Sequence, residues 1–190
     1  MRKDEFLKLF GGIEKPKEEL FIDIKRDKIE NREEAFLNSL KLVGGEGIIV
    51  KKDDLEEEIL KRFKSAKKIA SIYPLSFVNV NPNLIDDPKE LEDIDVSIVK
   101  GEFGVCENGA VWIEERENIH RAVYFICKDL VILLKRESLI DSMHEAYKKI
   151  DPKTSYGVFI SGPSKTADIE QALVIGAHGA KSLKVFLIDE

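Results

Sequence analysis

The stretch Tyr156-Gly157-Val158-Phe159-Ile160-Ser161-Gly162-Pro163-Ser164-Lys165-Thr166-Ala167-Asp168-Ile169-Glu170, continued through Gln171 to Ile175 and closed by Gly176-Ala177-His178-Gly179, decides the fold. Val158, Phe159 and Ile160 form a short apolar run, which suits a buried strand. Ser161-Gly162-Pro163-Ser164 breaks the run with turn residues. Ile169, Ala172, Leu173 and Gly176 then fall at i, i+3, i+4 and i+7, which predicts a helix with one apolar stripe, bracketed at its end by Gly176 and Gly179. The unit reads as strand, tight turn, helix. In open α/β sheets ligands bind where strands end and helices begin. The first N–H groups of such a helix lack partners within it, and its dipole favours an anion there. Gly162, Ser164, Lys165, Thr166 and Asp168 are therefore candidate ligand-binding residues. A plainer reading stands beside this one: Ser164 or Thr166 only caps the helix. The Asp168 carboxylate would also compete with an anion for the same N–H groups.

The totals narrow the field. A chain of 190 residues suits one domain with or without appendages, and 43% hydrophobic residues suffice for a substantial core. A net charge of -6 argues against a nucleic-acid partner, which normally meets a basic footprint. No apolar run approaches the roughly 20 residues of a membrane span, and Met1 to Phe6 lacks the apolar segment of a signal peptide. A cytoplasmic protein is expected. The two cysteines, Cys106 and Cys127, form no CxxC pair and no metal-ligand spacing with His. An iron–sulfur cluster usually takes four thiolates, so no cofactor is expected within this chain.

Outward from the deciding stretch, helices alternate with short apolar runs. Residues 2–10 predict a short helix and residues 13–30 a charged, extended connection, so 1–30 is read as an appendage and 31–190 as the domain. Asn31 with Glu34 has the form of a helix cap and its return partner, and Phe36, Leu37, Leu40 and Val43 repeat at helical spacing before Gly44. Gly44-Gly45-Glu46-Gly47 follows a helix and leads into Ile48-Ile49-Val50, the wrong order for a dinucleotide loop. Asp54 and Glu57 mark another helix start, with Leu55, Ile59 and Phe63 as its stripe. Strands are expected over Lys68–Tyr73, Val96–Val99, Arg121–Cys127, Leu130–Leu134 and Leu183–Ile188. The proline-bearing loop from Tyr73 to Pro88 is a candidate rim over a pocket. Leu139, Met143, Ala146 and Ile150 predict a helix closed by Pro152. Glu107-Asn108-Gly109 sits between two β-rich runs and predicts a hairpin turn, because Asn-Gly favours positive φ. The pattern is that of a layered α/β domain. Its central sheet is mostly parallel and flanked by helices, with an antiparallel excursion around 101–134.

Three segments together resemble a known family. They are Gly101 to Gly109 with Glu107-Asn108-Gly109, the run Gly162 to Glu170, and Gly176-Ala177-His178-Gly179. This is similar to the signature of the LUD domain, the lactate-utilisation protein C or YkgG type, over about residues 30–190. The resemblance implies a fold in the group of NagB, ribose-5-phosphate isomerase (RpiA) and the CoA transferases. It also implies partners: an iron–sulfur oxidoreductase and a cluster-carrying protein, which with this type of chain oxidise L-lactate to pyruvate. The sequence departs from the family at three places. Glu107-Asn108-Gly109 stands where Glu-Thr-Gly is usual, Cys127-Lys128-Asp129-Leu130 where a Pro-x-x-His-Ile run is common, and Gly179-Ala180 where the family has Gly-Pro.

Glu107-Asn108-Gly109 also resembles the Ser-Glu-Asn-Gly signature of CoA transferases, whose glutamate carries CoA covalently; Cys106 replaces the serine. Glu107 is the candidate catalytic residue, as base or nucleophile. Asn108, Gly109, Gly162, Ser164, Lys165, Thr166, Asp168 and His178 are the candidate ligand-binding residues, around a small carboxylate or phosphate. On the predicted helix His178 would lie about three turns, roughly 15 Å, beyond its start, where a capping cation is the plainer role. Three functions remain open: a non-redox component of L-lactate or 2-hydroxy-acid utilisation, a CoA-transferase-like or sugar-phosphate-handling enzyme, and a binding or regulatory module without catalysis.

Overall fold

Five runs of alternating or continuous apolar residues pair side by side in one parallel sheet. They are β1 (Glu46–Lys51), β2 (Ile69–Ala70), β3 (Val96–Lys100), β6 (Asp129–Lys135) and β11 (Ser182–Asp189), in the order β1-β11-β6-β3-β2. The computed structural model describes residues 28–115, 120–151, 153–169 and 172–189, with backbone alone at 167–169 and 172–173. The predicted helix at 2–10 and most of the predicted connection at 13–30 lie outside the described residues. Register is continuous through the middle of the sheet, where Val185 faces Ile132 and Ile132 faces Val99. Both faces of β3 and β6 are covered, which is why Leu130–Leu134 reads as an unbroken apolar run, whereas the edge strand β1 alternates buried and exposed.

On one face Ile48, Val50, Ile98, Val131 and Phe186 meet Leu55, Ile59 and Phe63. The first two of these three lie on helix α2 (Leu55–Arg62), and the third is its C-cap. On the other face Ile132, Leu134, Val185 and Leu187 meet Phe36 and Leu40 of helix α1 (Arg32–Leu42) and Val111 and Ile113 of a second sheet. Burial of each such side chain contributes about 1.5–3 kcal/mol. The second sheet has the order β7-β4-β5-β8, from β4 (Phe103–Val105), β5 (Ala110–Glu114), β7 (Leu139–Ile140) and β8 (Gly157–Ile160). Its outer face carries Phe103, Trp112 and Phe159, closed by Ala146 and Met143 of helix α3 (Met143–Lys149).

The helix ends follow their local chemistry. Asn31 Oδ1 accepts the Glu34 N–H at 3.1 Å, which satisfies one orphan donor, and the Asn31 side-chain amide donates to the Glu34 carboxylate at 3.1 Å. Gly44, at φ +87, ends α1. Ser142 caps α3.

Several expectations are corrected. The helix expected after the turn at 161–164 is instead an antiparallel hairpin of β9 (Lys165–Ile169) and β10 (Ala172–Ile175). Thr166, Ile169, Val174 and Ile175 are β-branched and fit a strand better than a helix. Val158–Ile160 forms a strand, β8, but half-buried and antiparallel to β5 in the second sheet rather than buried in the parallel one. Antiparallel pairing around 101–134 is made by β4 with β5 and by β5 with β8, as in the excursion expected there, and β6 rejoins the parallel sheet. Arg121–Tyr124 is a 3-10 turn, not a strand; it buries Val123 and Tyr124. The strand expected over Lys68–Tyr73 shortens to β2, and the returning loop pairs along its free edge, with Val80 N to Ile69 O at 3.1 Å and Ser71 N to Val80 O at 3.0 Å. That loop covers the core with Leu75, Phe77 and Val78 rather than standing over it as a rim.

Candidate functional site

The Asn-Gly turn forms as its residue types require. Gly109 takes φ +66 and its N–H bonds Val105 O at 2.9 Å, while Asn108 Oδ1 accepts the Ala110 N–H at 3.1 Å. The turn sits beneath the end of α1. A Cβ on Gly109 would lie 2.6 Å from the Leu40 backbone nitrogen and Cα, and Ser39 Oγ donates to Cys106 O at 2.7 Å. Glu107 is exposed. Its N–H bonds Asp141 O at 3.1 Å, and its Oε2 accepts the Met143 N–H at 2.9 Å. One carboxylate oxygen is thus held at the first residue of α3.

The second turn approaches the same helix end. Gly162 takes φ +77, and a Cβ there would lie 2.4 Å from Val43 O. Lys165 Nζ donates to that same carbonyl, a cation on the C-terminal carbonyls of α1. Ser161 Oγ donates to Asn108 O at 2.8 Å, so the two turns meet directly. Ser164 accepts the Gly176 N–H at 2.9 Å and its own N–H bonds Ala180 O at 2.9 Å.

The grouping expected from sequence is thus partly rearranged. Gly109, Gly162 and Lys165 are gathered around Leu40 of α1 and its C-cap Val43, and Asn108 joins them through Ser161. The Glu107 carboxylate is directed to α3. No helix N-terminus exists at Ser164, because the chain there enters β9. Thr166 lies on β9, opposite Val174. The Asp168 backbone lies in β9 and its side chain lies outside the described residues. His178 does not run away from Ser164 along a helix. The hairpin brings its loop back, and His178 lines a cleft of about 430 Å³ with Phe125, Ile126, Lys128 and Lys181.

Sequence reasoning missed the support for the first turn. Arg32 Nε binds Asp141 Oδ1 at 2.6 Å and Cys106 Sγ donates to Arg32 O at 3.2 Å. Burial, with the Asp141 carboxylate nearby, pushes the Cys106 thiol up to about 11, which disfavours its thiolate at neutral pH. Ser39, Val43 and Asp141 are far from either motif along the chain, and no local pattern marks them. Ser161 was readable only as a turn residue. Among the described residues no group of three His, Cys, Asp or Glu side chains has the arrangement to hold a metal, and no helix is long and apolar enough to cross a membrane.

Comparison with known proteins bears on this geometry. The family model described as the LUD domain matches residues 83–188, more than half of the chain and inclusive of both turns. "Lactate utilization protein C" of Oceanobacillus iheyensis is 28% identical over 105 residues, covering 52% of this chain and 45% of that protein. The protein of that name from Halalkalibacterium halodurans is 24% identical over 165 residues, covering 83% and 69%. YkgG of Escherichia coli strain K12 is 26% identical over 108 residues, covering 53% and 47%. The chain spans about half the length of most of the curated relatives it matches. Among solved structures, a DUF162 family protein from Deinococcus radiodurans superposes with a TM-score of 0.66 at 13% identity, covering 84% of this chain and 97% of that one, which shows a shared fold. The chain belongs to the LUD domain family.

Proposed function

We propose that this chain serves the utilisation of L-lactate, or a related 2-hydroxy acid, as a component without a redox centre. In this reading it holds a small carboxylate or phosphate metabolite beside the joined turns at 107–109 and 161–166. The observation that carries it is the hydrogen bond from Ser161 Oγ to Asn108 O at 2.8 Å, which ties together stretches 53 positions apart. Glu107 stands exposed at their edge. The relatives named for lactate utilisation support the metabolic setting. Oxidising a 2-hydroxy acid to its 2-oxo acid releases two electrons and two protons. Two cysteines are fewer than the four thiolates an iron–sulfur cluster usually takes, so the electrons pass in this reading to clusters on partner proteins. Glu107 then accepts one of the two protons, with one carboxylate oxygen held by the Met143 N–H at 2.9 Å, and the other proton passes to water as the electrons leave.

The same exposed, oriented carboxylate favours a second reading, acyl or sugar-phosphate transfer with Glu107 as nucleophile. One set of titrations separates the readings. L-lactate or pyruvate is expected to raise the melting temperature of the wild type by mass action. Ser161→Ala is expected to reduce that rise. Glu107→Gln is expected to keep the rise but stop lactate oxidation by a complex reconstituted with an iron–sulfur oxidoreductase partner. Turnover of an acyl-CoA or sugar phosphate by the chain alone, lost in Glu107→Gln, would establish the second reading instead. If no small carboxylate or phosphate shifts the melting temperature, the proposal fails.

A further inference from the structure

We infer that the cleft walled by Gly176, His178 and Lys181 is a binding site, separate from the joined turns, for an organic anion: a carboxylate or phosphate head carried on an apolar body. Its volume of about 430 Å³ falls in the range of small-molecule sites and exceeds what lactate would fill.

Both glycines of Gly176-Ala177-His178-Gly179 build it. Gly176 takes φ +78, and a Cβ there would lie 2.3 Å from Lys181 Cγ, so the bare glycine is what lets the lysine stem lie across it. A Cβ on Gly179 would lie 3.0 Å from Ser164 Cβ and 3.9 Å from Phe125 O, so the loop closes against the turn on one side and the Phe125 backbone on the other. Lys181 N bonds Lys128 O at 2.7 Å, which fixes the wall to the start of β6.

The two walls differ in chemistry. Lys128 is committed to Asp95, with Nζ to Oδ1 at 2.7 Å. Among the described residues the Lys181 ammonium and the His178 ring have no ion-pair or hydrogen-bond partner. The stem of Lys181 is already seated, so less side-chain freedom is lost when its ammonium takes up an anion. Phe125 and Ile126 line the same cleft and are 39% and 38% exposed, large apolar side chains facing water beside the Lys181 ammonium. An inorganic anion would use only one wall, and a neutral apolar molecule only the other. A molecule with an anionic head and an apolar body uses both, as binding sites with a few placed polar groups in an apolar lining do.

Calorimetric titration of the full chain at neutral pH with phenyl phosphate, benzoate and inorganic phosphate tests this. Phenyl phosphate or benzoate is expected to bind at least about ten-fold more tightly than inorganic phosphate, and the tighter of the two assigns the head group. Lys181→Gln is expected to weaken the organic anion about ten-fold, the worth of one charge-assisted hydrogen bond. Phe125→Ser is expected to bring phenyl phosphate down to the level of inorganic phosphate. Both residues are exposed, and an unchanged urea midpoint shows that the variants fold. Glu107→Gln is expected to change none of these affinities, so failure here is distinct from failure of the lactate reading. No saturable binding of either organic anion, full binding in Lys181→Gln or Phe125→Ser, or loss of binding in Glu107→Gln would each overturn the proposal.

Discussion

Alanine at position 109 tests whether α1 rests on the turn that carries Glu107. Gly109 has φ +66, and an L-residue held in the left-handed region costs about 1–2 kcal/mol. The new methyl would also lie 2.6 Å from the Leu40 nitrogen and Cα and 2.9 Å from the Ser39 carbonyl carbon. These are helix backbone atoms and cannot rotate away, so the helix or the turn must move, at a typical overpacking cost of about 1–3 kcal/mol. The two effects together predict a loss of about 3 kcal/mol. Gly44→Ala is the control. It has a similar φ of +87, but its Cβ would meet the flexible end of Lys165, Nζ at 3.3 Å and Cε at 3.5 Å. Only the backbone penalty of about 1 kcal/mol applies there, and any gain from a stiffer unfolded chain is common to both variants. The measurement is urea unfolding followed by far-ultraviolet circular dichroism and by the fluorescence of Trp112. With a slope of about 2 kcal/mol/M, the midpoint should fall by about 1.5 M for Gly109→Ala and about 0.5 M for Gly44→Ala. Equal losses in the two variants would mean that α1 does not press on the turn. The joined arrangement of 107–109 with 161–166 would then be lost with it.

Other perturbations follow from the same contacts. The Lys128 ammonium, with the N–H groups of Lys68 and Lys67, holds the Asp95 carboxyl well below the usual carboxylate range. A depressed folded value means its stabilisation is present above the unfolded value of about 4 and is lost as pH falls through and below it. Asp95→Asn should therefore lower the urea midpoint at neutral pH, by a margin that narrows below about pH 4, and a margin that widens in acid would refute this. Burial pushes the Cys106 and Cys127 thiols up, so neither should react quickly with a thiol-specific disulfide reagent in the native state, and both should react once the chain unfolds. Arg32→Ala removes the partner of the nearly buried Asp141, and because Arg32 itself is 44% exposed the loss should be only about 1 kcal/mol, read as a lower melting temperature.

How far the fold could be read from sequence depended on where the deciding forces act. Asn31 and Glu34 carry their own cap, and Asn108-Gly109 carries its own turn, so both were legible from adjacent residues. The central strands were legible because burial on both faces leaves unbroken apolar runs such as Leu130–Leu134. Val123 and Tyr124 are as buried as those strands, yet they sit in a 3-10 turn, since an apolar run reports burial and not geometry. The candidate site was less legible. Its assembly rests on Ser39, Val43, Asp141 and Met143, whose contribution is a backbone carbonyl, an N–H or a hydroxyl. The backbone groups leave no trace in residue type, and the Ser39 hydroxyl lies 67 positions from the carbonyl it binds, so no local pattern marks it.

The hairpin at 165–175 shows how one local misreading moves a site. Ile169, Ala172, Leu173 and Gly176 fit a helical stripe. The same residues fit two antiparallel strands, with β-branched Thr166 and Val174 paired across the ladder. Period alone does not separate these over so short a span, whereas the β-branched side chains favour strands. The consequence is spatial. A helix would carry His178 roughly 15 Å beyond its start, whereas the hairpin returns the chain so that Gly176 N bonds Ser164 O at 2.9 Å. Gly162-Pro163-Ser164 and Gly176-Ala177-His178-Gly179 are then two sides of one folded-back loop. One side leans on α1 through Gly162 and Lys165, and the other opens toward Phe125 and Lys181. A change at Ser164 would therefore reach both sides, while Lys165 variants should disturb only the α1 side and Lys181 variants only the cleft. Separate loss of the two responses in those variants, with both lost together when Ser164 is replaced by a bulky residue, is the behaviour this folding-back requires.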